Sequence, residues 1–283
     1  NLLFLRCIYV KYFLQYQEYM MNNNTISSLT RNEVELVARM SYEQKDIVTA
    51  KELDSYLPAD YPYRYKLVYS LRKKKILIPI KSGVYIFVPL EALPTGRRIS
   101  EFLIPAVFFP RGNYYIGYST MYNYYNFTDQ QFQTVYVLNL RISSERTIAG
   151  ISFKFIKIPT RRMYGLEKID IRGKTAIVSS KERTLVDLLY YSKPVGGPNA
   201  ASGILTRLIK AGKCDIKKMI EYAVKFPIIK TRKLIGITLE NAGVDERLLA
   251  PLAKSVQKTS LISFTDNRKG KINEKWRAII SVA

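Results

Sequence analysis

The stretch YRYKLVYSLRKKKILIPIKSGVYIFV, running from Tyr63 to Val88, carries seven cations and no acid: Arg64, Lys66, Arg72, Lys73, Lys74, Lys75 and Lys81. Lysine and arginine at this density neutralise phosphates, and interleaved hydroxyls can hydrogen-bond the same backbone. On a 3.6-residue wheel Leu67, Val68 and Leu71 gather on one side, with Tyr63, Lys66, Ser70 and Lys73 on the other. A recognition helix presents its N-terminal half to base edges in the major groove. Here Lys66 would reach guanine O6 or N7 and Tyr63 a phosphate, with Arg64 nearer the core side. The Arg72–Lys75 cluster also suits a helix C-terminus, where cations favour the macrodipole. Lys81 falls at the tip of a β-hairpin. The expected DNA contacts are therefore Tyr63, Arg64, Lys66, Ser70, Arg72, Lys73, Lys74 and Lys81.

The residues that could do covalent chemistry are sparser. The chain has no histidine, which removes the commonest general base and zinc ligand and every Ser-His or Cys-His pair. GYST (117–120) could open a nucleotidyltransferase site, but that chemistry needs Gly-Ser followed by paired carboxylates for Mg²⁺. Asp129 stands alone and Glu145 comes too late. Asp170 and Lys174 are a weak echo of a nuclease Glu-x-Lys set with no second carboxylate between them. In SKPVGGPN (192–199) Pro194 and Pro198 make the glycines a turn, and no Gly-Lys-Ser/Thr follows. The expectation is a protein without catalysis, metal or cofactor.

SSKERTLVD (179–187) begins a helix, with Ser179 read as the N-cap and Glu182 three residues on, a capping-box spacing. Arg183 and Asp187 stand one turn apart, and such a pair adds roughly a few tenths of a kcal/mol when exposed. The basic pairs Arg161-Arg162, Lys217-Lys218, Arg232-Lys233 and Arg268-Lys269 read as solvated faces or as an extended nucleic-acid path. Trp276, the lone tryptophan, reads as an anchor for the tail.

These residues need a scaffold, and the chain can build one. It has 283 residues, enough for two domains, and 47% are apolar, so a core can be buried. Its 45 basic against 23 acidic residues leave a net charge of +22, a field that attracts nucleic acid, an acidic partner or an anionic membrane. Two cysteines, Cys7 and Cys214, are too few for a disulfide framework and suit a reducing cytosol. Arg6 and Lys11 interrupt the apolar segment 1–20, so neither a membrane span nor a signal peptide is expected there. It reads as a docking helix or as residues upstream of a start at Met20-Met21.

From Ser28 the pattern sharpens. Thr30 with Glu33, and Thr49 with Glu52, have capping-box spacing and start two helices, the second closed by Pro58. Asp60 can cap a third helix, with Pro62 tolerated in its first turn. KILIPI and GVYIFV, separated by Lys81-Ser82-Gly83, read as a hairpin. This order is that of a winged helix-turn-helix over residues 28–92, after an uncertain extension at 1–27. Residues 89–98 read as a linker. A mixed α/β part follows over 93–178, with IPAVFF, TVYVLNL, ISFKFIKIP and KTAIVSS as strands. A mainly helical part occupies 179–283. The expected fold class is α+β.

The chain from about Ser28 onward resembles the AbiEi-type antitoxins of abortive-infection (type IV) toxin–antitoxin pairs. Four stretches carry the resemblance: the helix and hairpin at 60–88; YYIGYSTMYNYYNFTDQQFQTVYV (114–137); VSSKERTLVDLL (178–189), which matches the family's Ser/Pro-x-Glu-Arg-Thr-Leu-x-Asp-Leu; and RKLIGITLENAGV (232–244) with NEKWRAII (273–280), similar to its Gly-x-Leu-Glu helix and Asn-x-x-Trp tail. Where members often carry His-Gly-Leu this chain has Tyr125-Asn126-Phe127, so any role of that histidine is absent. The resemblance implies a cytoplasmic repressor that binds inverted repeats in its own promoter as a monomer or homodimer. It also implies a second domain that counters a co-encoded nucleotidyltransferase toxin, with no membrane partner. Tyr118, Ser119, Glu182, Arg183 and Asp187 are the candidate residues of that antitoxin domain. A stand-alone regulator with a sensing domain, and a nucleic-acid-processing enzyme, are the rival readings.

Overall fold

The computed structural model describes residues 29–57, 64–90, 99–171, 173–265 and 270–280. The apolar N-terminal segment, Asp60, Tyr63 and most of the expected linker lie outside the described residues. The chain divides into two compact units. One ends at Val107 and also takes in Ile148–Gly150; the other holds Phe108–Thr147 and the chain from Ile151 onward. The composition-based boundary at 92/93 thus lies upstream of the division by contacts.

The first unit starts with helix α1 (Arg31–Tyr42), strand β1 (Ile47–Thr49) and helix α2 (Ala50–Ser55). Both helices begin with the expected capping boxes. The Thr30 hydroxyl accepts from the Glu33 amide while the Glu33 carboxylate accepts from the Thr30 amide, and Thr49 with Glu52 repeats the pattern. Helix α3 (Arg64–Lys73) and the hairpin β2 (Leu77–Lys81) and β3 (Val84–Phe87) follow. Gly83, at φ 68°, supplies the left-handed backbone of the hairpin turn. The sheet order is β1-β3-β2, all antiparallel, so the unforeseen strand β1 adds a third member to the expected pair. Leu36, Met40, Val48, Leu53, Leu67 and Leu71 meet beneath it. This order of elements is compatible with a winged helix-turn-helix.

Helix α4 (Ile104–Phe108) stands where IPAVFF reads as a strand. Its apolar, aromatic composition suits either state, and Pro105 is tolerated in a first helical turn. Strand β4 (Tyr114–Ile116), helix α5 (Ser119–Tyr124) and strands β5 (Thr134–Asn139), β6 (Ser144–Ile148), β7 (Ile151–Lys157), β8 (Leu166–Ile171) and β9 (Lys174–Ser179) come next. They form a mixed six-stranded sheet of order β6-β7-β5-β4-β9-β8. Sequence patterning overlooks three of these strands: β4, whose segment YYIGYSTMYNYYNF reads as a helix or turn, and β6 and β8, which are the two edges. Each edge carries charge (Glu145 and Arg146; Glu167, Lys168 and Asp170), the usual protection of an edge against stray pairing.

Five helices follow: α6 (Lys181–Tyr190), α7 (Pro198–Lys210), α8 (Ile216–Lys225), α9 (Ile229–Asn241) and α10 (Glu246–Lys254). Helix α6 is central: every residue from Glu182 to Leu189 is buried. Its N-cap is Ser180, whose hydroxyl accepts from the Arg183 amide, and not Ser179 as the spacing suggests. Ser179 ends β9, and its hydroxyl pairs instead with that of Thr184 at 2.7 Å. The tail folds into strands β10 (Ile262–Ser263), β11 (Lys271–Asn273) and β12 (Ala278–Ile280), in the order β10-β12-β11. The chain is an α+β protein. Among the described residues, no helix is long and apolar enough to cross a membrane.

Candidate functional site

Helix α3 buries Leu67 and Leu71, and its opposite side is exposed at Tyr65, Lys66, Tyr69, Arg72 and Lys73. The tyrosines, one turn apart, place their ring centroids 6.5 Å from each other. Lys73 Nζ lies 5.4 Å over the Tyr69 ring, a cation–π contact that holds the ammonium on the exposed face. Tyr65 is 78% exposed, so this aromatic surface is available to a partner. Neither tyrosine is among the contacts the sequence suggests, although both lie in the cationic stretch. Wheel position relative to Leu67 and Leu71 was the available signal.

The other expected DNA contacts have different surroundings. Arg64 is half-buried and pairs with Asp54 at 3.3 Å. Lys74 pairs with buried Glu33 at 2.7 Å. Burial by itself would raise the Glu33 carboxyl. Hydrogen bonds from Lys74, Ser70 and the Thr30 backbone outweigh it and hold the group below the usual carboxylate range. Ser70 and Lys74 therefore join α3 to α1 inside the unit. Lys81 is exposed near the hairpin turn and donates to the Val107 carbonyl at 2.6 Å. Tyr63 lies outside the described residues.

In the second unit the central helix brings two of the five antitoxin candidates into one buried charge centre. Arg183 and Asp187 are both fully buried, with Arg183 Nη2 donating to Asp187 Oδ1 at 3.2 Å. Arg162 Nη2 stands 3.6 Å from the same oxygen and donates to the Tyr118 hydroxyl at 2.8 Å, which joins a third candidate to the group. Arg183 also donates to the carbonyls of Arg162 and Tyr164 and to the Tyr115 hydroxyl. The Tyr164 ring lies 4.5 Å from the Arg183 guanidinium, and the Tyr190 ring 4.5 Å from that of Arg162.

Two guanidiniums thus surround one carboxylate, and the surplus positive charge is spread over aromatic faces and carbonyls. Burial would depress the Arg183 pKa, but Asp187 and the phenols of Tyr115 and Tyr164 reverse this and raise it. Burial and Asp187 raise the Tyr115 and Tyr118 phenols, and burial pushes Tyr164 up to about 12. Tyr115, Tyr118 and Tyr164 are thus neutral hydrogen-bonding groups. The ion pair that the spacing allows is formed, and it is fully buried.

Glu182 faces the other way: its carboxylate accepts from the Asp215 amide at 3.4 Å and pairs with Lys218 at 3.6 Å, joining α6 to α8. Ser119, almost fully buried, lies at the floor of a separate cleft. Arg162, read in sequence as half of a solvated basic pair, is the member of the charge centre that patterning misses.

No family model matches the chain, and no curated protein does. Among solved structures it is similar to the crystal structure of the RV2827C protein from Mycobacterium tuberculosis. The TM-score is 0.65 at 14% identity, over 89% of this chain and 92% of that one. At that identity the likeness shows a shared fold.

Proposed function

We propose that this chain is an AbiEi-type antitoxin that acts in the cytoplasm without catalysis of its own. Its winged-helix unit represses its own promoter, and its second unit counters a co-encoded nucleotidyltransferase toxin. The observation that carries the DNA reading is the exposed side of α3, where Lys66, Arg72 and Lys73 alternate with Tyr65 and Tyr69. Such a face neutralises phosphates with its cations and stacks or hydrogen-bonds with its phenols. The net charge of +22 draws the whole chain toward a polyanion.

Support for the antitoxin reading comes from where the resembling motifs fall. Arg183 and Asp187 of the Glu-Arg-Thr-Leu segment lie in the buried charge centre. Gly236 and Glu240 of the late helix meet Asn273 and Trp276 of the tail. The residues that carry the resemblance are therefore those that hold the second unit together.

The test uses the intact protein. Titration of its promoter duplex at several salt concentrations should give a log–log slope of roughly −5 to −7 if six to eight phosphates are neutralised. Co-expression with the neighbouring gene should relieve growth arrest. A Lys66→Glu/Lys73→Glu variant should lose repression and keep the relief. A flat salt response removes the DNA reading, and no relief of growth removes the antitoxin reading.

A further inference from the structure

An open cleft of about 460 Å³ lies in the second unit between β5 and the turn that follows α6. Its wall is aromatic, made by Phe132, Tyr136 and Tyr191, and its rim carries Gln131, Gln133 and Lys193. Ser119 closes the floor. Among the described residues, no carboxylate lines it. Glu145, whose charge acts on Tyr136, is engaged by Lys154 at 2.6 Å.

The wall is built rigidly. The Tyr118 ring stacks on Tyr191 with centroids 4.6 Å apart and meets Tyr136 edge-on at 5.9 Å. The Tyr136 and Tyr191 hydroxyls share one hydrogen bond of 3.0 Å. One of the two therefore keeps a proton to donate to a ligand.

The backbone beside the floor is strained as well. Tyr118 has φ 51° and ψ −139°, a conformation that bulky L side chains avoid. Arg162, bonded to the Tyr118 hydroxyl, and the stacked Tyr191 hold the ring in place while Ser119 is set into the cleft. Strain of this kind persists where the surroundings over-determine it and gathers at binding sites.

We infer that this cleft binds a nucleotide, its base against the Tyr136–Tyr191 wall and its phosphate at Lys193. The Tyr136 and Tyr191 rings are tilted by 59° to one another, so a base stacks on the face of one ring and meets the other at an angle. Carboxamides both donate and accept, so Gln131 and Gln133 can read a base edge. The single lysine at the rim supplies the charge for the phosphate. The cleft has the size of a small-molecule site. The DNA reading uses none of these residues; Ser119 and Tyr118 are also antitoxin-domain candidates, whereas the rim residues Gln131, Gln133 and Lys193 that the test changes are not.

Saturation-transfer NMR on the intact protein with AMP, GMP, CMP and UMP tests it. At least one should bind saturably, with transfer to its base protons. Lys193→Glu should weaken that binding about tenfold or more, and Gln133→Ala should alter the ranking of the four bases. Lys254→Glu, an exposed change of equal charge on α10, should leave it unaltered. These side chains are exposed, so melting curves should confirm folded variants. Binding equally sensitive to Lys193→Glu and Lys254→Glu, ribose 5-phosphate binding as well as the nucleotides, or no saturable binding at millimolar concentration each overturns the inference.

Discussion

Trp276 lies flat against Gly236: a Cβ built on Gly236 would fall 2.2 Å from Cζ3 of the indole. The ring is fully buried, and its Nε1 donates to Glu240 at 2.7 Å, one turn further along α9. The tail sheet is therefore fastened to α9 by a ring that needs a residue with no side chain. Gly236→Ala, which would favour an isolated helix, should instead destabilise the protein by about 3 kcal/mol through overpacking. Urea unfolding measures this, and a companion Gly236→Ala/Trp276→Leu protein should recover part of the loss. A stabilised Gly236→Ala protein would refute the contact.

In the charge centre, the members should differ in a defined order. Asp187→Ala leaves two guanidiniums buried without a counter-charge and should cost about 3–5 kcal/mol. Arg162→Met removes the surplus cation, leaves the Arg183–Asp187 pair balanced and should cost less. Unfolding midpoints of the two variants decide this, and the reverse order would sink the account of the surplus charge.

On α3 the two residue types should separate in their salt dependence. Arg72→Ala should lower the magnitude of the DNA-binding salt slope by about one, because it deletes a phosphate partner. Tyr69→Ala should weaken binding while leaving the slope close to its original value. Fluorescence anisotropy across a salt series distinguishes them, and identical behaviour of the two variants would count against the assigned roles.

Stability should be flat through neutral pH and fall at both ends. Glu33, Glu52 and Glu240 each tend upward from burial but are held below the usual carboxylate range by their hydrogen bonds. A depressed folded-state pKa gives stability that is present above the unfolded value and lost as pH falls through the folded one. Tyr115 and Tyr122 are raised by burial, so their contribution is present below the ordinary phenol pKa and lost as pH rises beyond it. With no histidine, no side chain with an unperturbed pKa changes charge between roughly pH 5 and 8. Melting temperatures should therefore hold steady there, fall below about pH 4 and fall again above about pH 10. A midpoint near neutrality would contradict this.

What could be read from the chain was local. Thr30 with Glu33, and Thr49 with Glu52, announce helix starts because a capping box needs only four consecutive residues. Leu67 and Leu71 mark the buried side of α3 through helical periodicity. Strand β1 escapes notice because three residues between two helices carry no alternation. Strands β6 and β8 escape because edge strands are charged, and β4 escapes because its three residues, all buried, show no alternation. Ile104–Phe108 misleads because apolar aromatic segments suit helix and strand alike. The charge centre was half legible: Arg183 and Asp187 share a helix face, but their burial depends on the elements packed around α6. Arg162 joins them only through the tertiary fold.

Glu33 caps the first turn of α1 and also grips Lys74 just beyond α3, at 2.7 Å in each case. One carboxylate thus ties the end of α3 to the first turn of α1. Tilting α3 as a lever would uncap α1, so the head keeps one profile, like a die. A partner that docks on α3 therefore meets its exposed side at a fixed tilt.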